Sequence, residues 1–550
     1  MGDYVLVEGF NEIYDASTAV ELSSPLSSYT LTLKAWLIKQ KKGQAVAWNT
    51  AKIPEEALGK RVILVWPMAL GMGSRVPQPS GQFDLYLNSE KLLSFRLTKN
   101  PELWGGKEVS FLFQVKRVAL EEELASYGLA FLSLPWSKVE IGTRATITVR
   151  PAGPESERWF RIDKPFGGEA TKSNFLEDGL ARILVGKRER HRLGPYHLFW
   201  GDLHTHSGGH TGADGCGDGS IDENYLYARD VSNLDIYALT DHDWQLTSPA
   251  MWRQRQEKAF SYYERGNFVT FSAYEWSCRG ATRHYGHRNI YFLDDGQPFF
   301  SYKDENSDTP AKLWAALEKT GAEALSIVHH PSLARIAYNQ NWEYHNPKFE
   351  PVAEIFSVWG SSESFDSPDR STFSDHVPGT FLLDALRRGY RLGFIASSDG
   401  HDGHPGGAEA WTGLALRPKP YGSGLVAVYA EELTREAVFE ALRRRRVYAV
   451  TGARIQLGFW VAGHFMGEET HMKAGVRPEI RISVEGIFPL ELIEVVRDGH
   501  VIGRWGWGEK RAEILHVDET PPPGLHFYYL RVRQGDGEMA WSSPVWVVVS

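Results

Sequence analysis

At 550 residues, 42% of them hydrophobic and 23% charged, the chain lies in the ordinary globular range, which excludes wholesale disorder and a bundle of membrane helices. Its length predicts several domains, one of which can be as large as a barrel. A net charge of -9 gives no global basic footprint for nucleic acid, and Cys216 and Cys278, the two cysteines, are too few for a disulfide scaffold.

Residues 27–151 alternate short apolar runs with Gly, Pro and Asn: Arg61 to Trp66, Phe83 to Leu87, Val109 to Val115 and Thr143 to Val149. Such a pattern predicts a β-sandwich-like module, with a helix around Leu120 to Tyr127. Together with a linker it makes a β-rich N-terminal domain, residues 1–195. From Tyr196 strands and helices alternate. The strands expected are His197 to Leu203, Asp235 to Thr240, Phe268 to Tyr274, Asn289 to Leu293, Ala324 to Val328, Ala353 to Val358 and Leu392 to Ala396. Helical patterns fall at Asp222 to Val231, Pro249 to Arg265, Pro310 to Lys319, Thr380 to Arg388 and Thr434 to Arg446. Alternation of this kind reads as βαβ units, an α/β barrel over residues 196–451. Strand texture returns in 452–550, with Asp498-Gly499 as a type I′ hairpin signal, and a second small β-domain is expected there.

The chemistry is carried by His, Asp and Glu clusters that each follow an apolar run. They are Asp202-Leu203-His204-Thr205-His206, Asp241-His242-Asp243, Tyr274-Glu275-Trp276, His329-His330-Pro331 and Asp399-Gly400-His401. Singly, each has a bland reading: loop histidines, a helix N-cap before Pro249, or a salt bridge from Glu275 to Arg279 or Arg283. Jointly they point to a metal site, because a parallel β/α architecture brings strand C-termini to one face, where imidazoles and carboxylates bind Zn, Mn or Fe. His204 and His206, two apart, share a face of their strand. Cys216 and Cys278 lie near these clusters, and packing is the default role for such small side chains. Nothing in Met1-Gly2-Asp3-Tyr4 suggests a secretory signal, so a cytoplasmic chain without membrane spans is expected.

As an ordered set, with Asp214-Gly215 and Ala238-Leu239-Thr240 added, these motifs resemble the PHP superfamily, named for polymerase and histidinol phosphatase, over about residues 196–451. Phe199-Trp200-Gly201-Asp202 and Ala540-Trp541-Ser542-Ser543-Pro544 resemble a PHP-containing family with added β-domains. The resemblance implies a distorted (β/α)7 barrel flanked by N-terminal and C-terminal β-sandwich-like domains, with two or three divalent ions. It implies that His204, His206, Glu275 and Asp399 hold one ion, and that Glu275 bridges to a second held by His287 and His330. His242, His401 and an acidic residue would take a third. His210, Asp214 and Asp218 compete for that last role, with Asp214 favoured by its Asp-Gly match, as His287 is over His284. Asp241, Asp243 and His329 would move protons or orient ligands, and Arg283 and Arg288 would clamp a phosphate.

The activity expected is metal-dependent hydrolysis by a metal-bridging hydroxide, a phosphoesterase reaction on a small phosphorylated molecule. Two alternatives stand beside it. One is hydrolysis of a non-phosphate ester or amide, carbohydrate-linked in view of the 19 Trp, and the other is an inactive metal-binding scaffold. Oligomeric state is not legible in the sequence.

Overall fold

A computed structural model describes the chain from residue 21 onward except 25–26, 31–34, 39–43, 73–80, 98–101, 107, 120–123, 154–159, 168–180, 186–189, 209–215, 218, 279–284, 334–337, 368–376, 402, 404, 407–423 and 520. The chain divides into two compact units, Met1–Glu189 with Asp230–Asn233, and Arg190–Arg229 with Leu234–Ser550.

The first unit is made of strands. Alternate residues of β1 (Val46–Lys52) are buried and exposed, the period expected of a strand with one face on a core. It joins a sheet with β3 (Gly81–Leu87), β4 (Glu90–Leu97) and β7 (Arg144–Ala152), in the order β1-β7-β3-β4. A second sheet is centred on β2 (Arg61–Met72), β5 (Ser110–Ala119) and β6 (Leu124–Pro135). Trp48 of one sheet and Trp66 of the other lie 6.0 Å apart, and Phe95 and Phe111 4.8 Å apart, so the two sheets share one aromatic core. The helix expected at 120–127 is corrected in part. Leu124 to Tyr127 belong to β6, which pairs antiparallel with both β2 and β5, and this pairing overrides a local helix preference. Residues 120–123 lie outside the described residues.

In the second unit, β8 (Tyr196–Asp202) pairs parallel with β9 (Ile236–Tyr237), and β9 with β10 (Val269–Thr270). A separate sheet runs β11 (Ser272–Trp276), β12 (His287–Phe292), β13 (Ala324–His329), β14 (Val352–Ser357), β15 (Gly393–Ala396). Short backbone pairings join the two sheets just past the strand ends. Asp243 N–H donates to the Glu275 carbonyl at 2.8 Å, and His206 N–H to the Gly400 carbonyl at 2.9 Å. Backbone pairing therefore runs from β8 through β9, β11, β12, β13, β14 and β15 and back to β8.

Uniform βαβ alternation is not what these residues form. The strands β11, β12 and β13 are antiparallel neighbours, and the unit is mostly sheet with few helices. The order of turn and strand signals is visible in sequence, but the direction in which β12 runs is decided by its partners. The helices present start as their caps require: Ser248 and Thr309 cap α2 (Pro249–Tyr262) and α3 (Pro310–Thr320), each with Pro at the first turn. Before them α1 (Ile221–Leu226) continues into a π-turn, and later come α4 (Leu382–Arg387) and α5 (Arg435–Arg443). Among the described residues no helix is long and apolar enough to cross a membrane.

Residues 452–550 fall in the same compact unit as the His, Asp and Glu motifs. The sheet of β8 continues through β16 (Leu425–Ala430) and β17 (Val447–Val450) to β21 (Met539–Ser542), β20 (Gly524–Gln534), β18 (Leu490–Arg497) and β19 (His500–Gly506). Trp541, Tyr529 and Trp546 share a core with Phe356, Leu382 and Phe394. Asp498 and Gly499, between β18 and β19, have φ of 54° and 86°, the pair of positive angles that a type I′ turn requires.

Gly424, at the head of β16, has φ of 138°, and a Cβ there would overlap the Ser397 carbonyl oxygen. Gly424→Ala must displace backbone that leads into Asp399. It is expected to lower unfolding free energy by about 1–3 kcal/mol, read from urea midpoints. A change within error would contradict the close approach.

Candidate metal centre

Six strands, mostly at their ends, deliver one cluster of donors. Beyond β8, Thr205 pairs with Gly400 and its hydroxyl meets the Tyr237 hydroxyl at 2.6 Å, which leaves His204 and His206 on the opposite face. His242 follows β9, Glu275 lies in β11, His287 opens β12, His329 and His330 close β13, and Asp399 and His401 follow β15. All are buried except His401, which is partly exposed. Consecutive residues of a strand point to opposite faces, yet both His329 and His330 enter the cluster. His330 manages this with a φ of 33°, and Asp399 likewise has φ of 52°, so two donors sit on left-handed backbone that non-glycine residues rarely adopt.

Four overlapping sets of donors lie close enough to hold cations: His204, His206 and Asp399; His204, Glu275 and His329; His287, His329 and His330; His206, His242 and His401. Glu275 is the hub. Its Oε2 lies 3.4 Å from His204 Nε2 and 3.3 Å from His206 Nε2, while Oε1 lies 2.7 Å from His287 Nδ1 and 3.2 Å from His242 Nδ1. Each oxygen thus faces a different group, the arrangement of a bridging carboxylate. Asp399 Oδ1 is 3.2 Å from His204 Nε2 and 3.1 Å from His206 Nε2.

Burial alone would push these carboxyls up, but the imidazoles outweigh it. Glu275 is held well below the ordinary range by His242 and His329, and Asp399 by His204 and His206. Burial pushes His242 down to about 4, and His330 and His401 to about 3, so these rings are neutral at physiological pH, as metal ligands must be. His204 moves the other way. Burial opposes its charge, yet Asp399 and Glu354 together raise it well above the usual value.

Groups behind the donors hold them in place. Glu354 Oε2 lies 3.1 Å from His204 Nδ1 and fixes the ring with Nε2 toward the cluster. Trp359 Nε1 donates to Asp399 Oδ2 at 2.5 Å, leaving Oδ1 inward. Ser277 Oγ contacts both His242 Nδ1, at 2.6 Å, and Glu275 Oε1, at 2.8 Å. None of these three was expected. Glu354 alone had a signal, a single carboxylate inside the otherwise apolar run Val352-Ala353-Glu354-Ile355-Phe356.

Several expected roles change. Asp241 accepts from Ser207 N–H and Oγ and from Arg255 Nε and Nη2, so its oxygens anchor the chain and are not placed to carry protons. Asp243 is taken up by Ser277 N–H, Ser301 Oγ and Tyr302 N–H. His329 stands among the donors themselves. Arg288 is no phosphate clamp: it is fully buried, Nε pairs with Glu350 Oε1 at 2.7 Å and Nη1 donates to the Tyr285 carbonyl. Its strand position, one residue past His287, turns it away from the donor face. Arg283, His284, His210, Asp214 and Asp218 lie outside the described residues.

Whether the residues fit metal ions is decided by their nitrogens. Among the described residues, both ring nitrogens of His329, Nε2 of His287 and Nδ1 of His330 and His206 are buried with no hydrogen-bond partner, and His287 Nδ1 meets Glu275 Oε1 at 2.7 Å without hydrogen-bond geometry. Unsatisfied buried polar atoms are costly, about 1–3 kcal/mol each, and a cluster of them calls for a partner that the side chains do not supply. Divalent cations fit that need and the mixed imidazole and carboxylate donor set.

Residues 232–372 and 412–482 match a family described as "Protein of unknown function (DUF3604)". An uncharacterized protein of Chlamydia pneumoniae is 30% identical over 372 residues, 64% of this chain and 57% of that one. An uncharacterized protein of Chlamydia trachomatis is 28% identical over 383 residues, again 64% and 57%. The chain thus spans 57% of the length of these curated relatives. Among solved structures, a Bacteroides vulgatus two-domain protein containing a "predicted PHP-like metal-dependent phosphoesterase" aligns with 65% of this chain and all of its own, at 14% identity and a TM-score of 0.33.

Two outcomes follow from this geometry. Arg288→Ala strands the buried Glu350 carboxylate and should cost about 3–5 kcal/mol of stability in denaturant titrations, with metal content per folded molecule unchanged. Lost metal without lost stability would return Arg288 to the site. The second concerns His330, whose pKa is pushed by burial to about 3 from 6.5. Below about 6.5 the unfolded chain binds a proton that the folded chain refuses, so this contribution is present above that pH and is lost as pH falls toward 3. With chelator present, the native chain should lose stability relative to His330→Asn as pH drops from about 6.5 to about 4; parallel urea midpoints would refute the assignment.

Proposed function

We propose that the chain is a metal-dependent hydrolase acting on phosphate esters, with its donors at the mouth of a distorted (β/α)7 barrel of PHP type. The observation that carries the reading is the set of overlapping donor groups around Glu275, whose buried nitrogens lack hydrogen-bond partners. The unbroken backbone pairing from β8 round to β15 supports the barrel. In this reading His204, His206, Asp399 and Glu275 Oε2 hold one ion, and Glu275 Oε1, His287, His329 and His330 a second. His242 and His401 begin a third position. When bound, the ions would supply Lewis acidity, a water ionised at neutral pH and the positive charge that a phosphoryl group needs.

The chain's own groups do the positioning. His401 Nδ1 donates to the Asp399 carbonyl at 2.8 Å, which leaves Nε2 as the donor atom. Glu354, raised by burial to about 7, shares a proton with His204 Nδ1 and is the carboxyl best placed to exchange one near neutrality. Asp241, tied to Ser207 and Arg255, keeps the strand end beside His242 rigid. Substrate in this reading is a small phosphorylated molecule, not nucleic acid or a membrane surface.

The purified chain loaded with Mn or Zn should hydrolyse p-nitrophenyl phosphate or its diester in preference to the matching sulfate and acetate. His204→Ala should lower turnover by more than about 100-fold, beyond what loss of a supporting residue costs. Undiminished turnover in that variant removes the mechanism. Preference for the acetate or sulfate keeps the metal centre but replaces the substrate class.

A further inference from the structure

Among the described residues, the third cation position is short of donors. His206, His242 and His401 form one group, but His206 Nε2 also lies 3.1 Å from Asp399 Oδ1 and 3.3 Å from Glu275 Oε2, in the first. If the first position takes His206, two imidazoles remain, one fewer than the three protein ligands that a zinc-type site uses. The proton arrangement of those two is readable. Ser277 Oγ donates to Glu275 Oε1 at 2.8 Å and therefore accepts from His242 Nδ1 at 2.6 Å. His401 Nδ1 donates to the Asp399 carbonyl at 2.8 Å. Both rings thus carry hydrogen on Nδ1 and a lone pair on Nε2.

Facing His242 Nε2, 3.3 Å away, is Cys216 Sγ. The thiol is seated there by backbone. Gly217 N–H donates to the Ser207 carbonyl at 3.2 Å and Gly208 N–H to the Gly219 carbonyl at 2.8 Å, which lays the segment after Cys216 along His206 to Gly208. The approach is so close that a Cβ on Gly217 would overlap the His206 carbonyl. A glycine is required beside the thiol for it to reach His242.

We propose that Cys216 is the missing donor, a thiolate that completes the third position with His242 and His401 and makes it a soft site suited to zinc, cobalt or ferrous ion. This rests on the metal-centre reading above. On binding, the sulfur–metal bond forms and the thiol proton leaves to solvent. No oxidation is involved. The other cation positions, built from carboxylate and imidazole alone, have no sulfur, so the centre is chemically unequal across its width.

Cobalt substitution tests this without relying on turnover. The full chain, stripped and reloaded with Co(II), should show a near-ultraviolet sulfur-to-cobalt charge-transfer band. Cys216→Ser should lose the band and one metal equivalent by mass spectrometry, whereas Cys216→Asp should lose the band and keep the metal. Cys278→Ser, altering the buried thiol, should retain both. Cobalt bound without such a band, or a band that survives in both Cys216 variants, overturns the sulfur ligand and leaves the metal centre standing. Failure to bind cobalt at all overturns both.

Discussion

The structure of the second unit depends on one buried carboxylate. Glu275 is 1% exposed in a fully buried strand, where an isolated charge is prohibitive and the group would ordinarily be protonated. Here imidazoles surround it on both oxygens, and they hold it ionised. The cost of desolvation is thereby shared with imidazoles from β8, β9, β12 and β13. Removing Glu275 from this arrangement would leave Asp399 and Glu354 as the carboxylates facing His204 and His206, and would take from His242 and His287 the carboxylate oxygen they now face. The same logic explains why the strand ends must meet, and why the two sheets are tied by backbone pairing at Glu275 and Gly400 and not somewhere more distant.

Geometry at the strand ends then follows from how the backbone leaves the sheet. A strand offers one side chain in two to a given face, so a dense cluster needs either alternate residues, as at His204 and His206, or a break in the strand. His330 and Asp399 are breaks, with positive φ in side chains that are not glycine. Strain of this kind, roughly 1–3 kcal/mol per residue, persists where surrounding structure determines it, and both residues are held by partners: Asp399 by Trp359, His330 by its place between His287 and His329. Gly424, packed on the Ser397 carbonyl, is the complementary device, giving space where His330 and Asp399 give direction.

What was legible in the sequence divides along the same line. Strand positions came from apolar runs, and helix starts from Ser248-Pro249 and Thr309-Pro310, because these signals are local. Donor identities came from motifs that sit just after such runs. Strand direction was not legible: β12 looks like any other buried strand, and only its pairing with β11 and β13 makes it antiparallel. Arg288 was misread for a related reason, since its neighbour His287 points to the cluster and side chains alternate. Glu354 and Ser277 went unseen because the residues they serve, His204 and His242, lie 150 and 35 positions away. Long-range partners leave no spacing to read.

Charge balance gives the last step. At neutral pH Glu275 and Asp399 are ionised, while burial keeps His242, His330 and His401 uncharged. Among the described residues, Arg255 is engaged with Asp241 and Arg288 with Glu350. His204 is driven toward protonation by its carboxylate neighbours Asp399 and Glu354, against burial. In the proposed metal centre, a cation held by His204 Nε2 would compete with a proton on that nitrogen, so loading would release the proton. In the proposed metal-loaded form, imidazoles that lack partners among the described residues would acquire them.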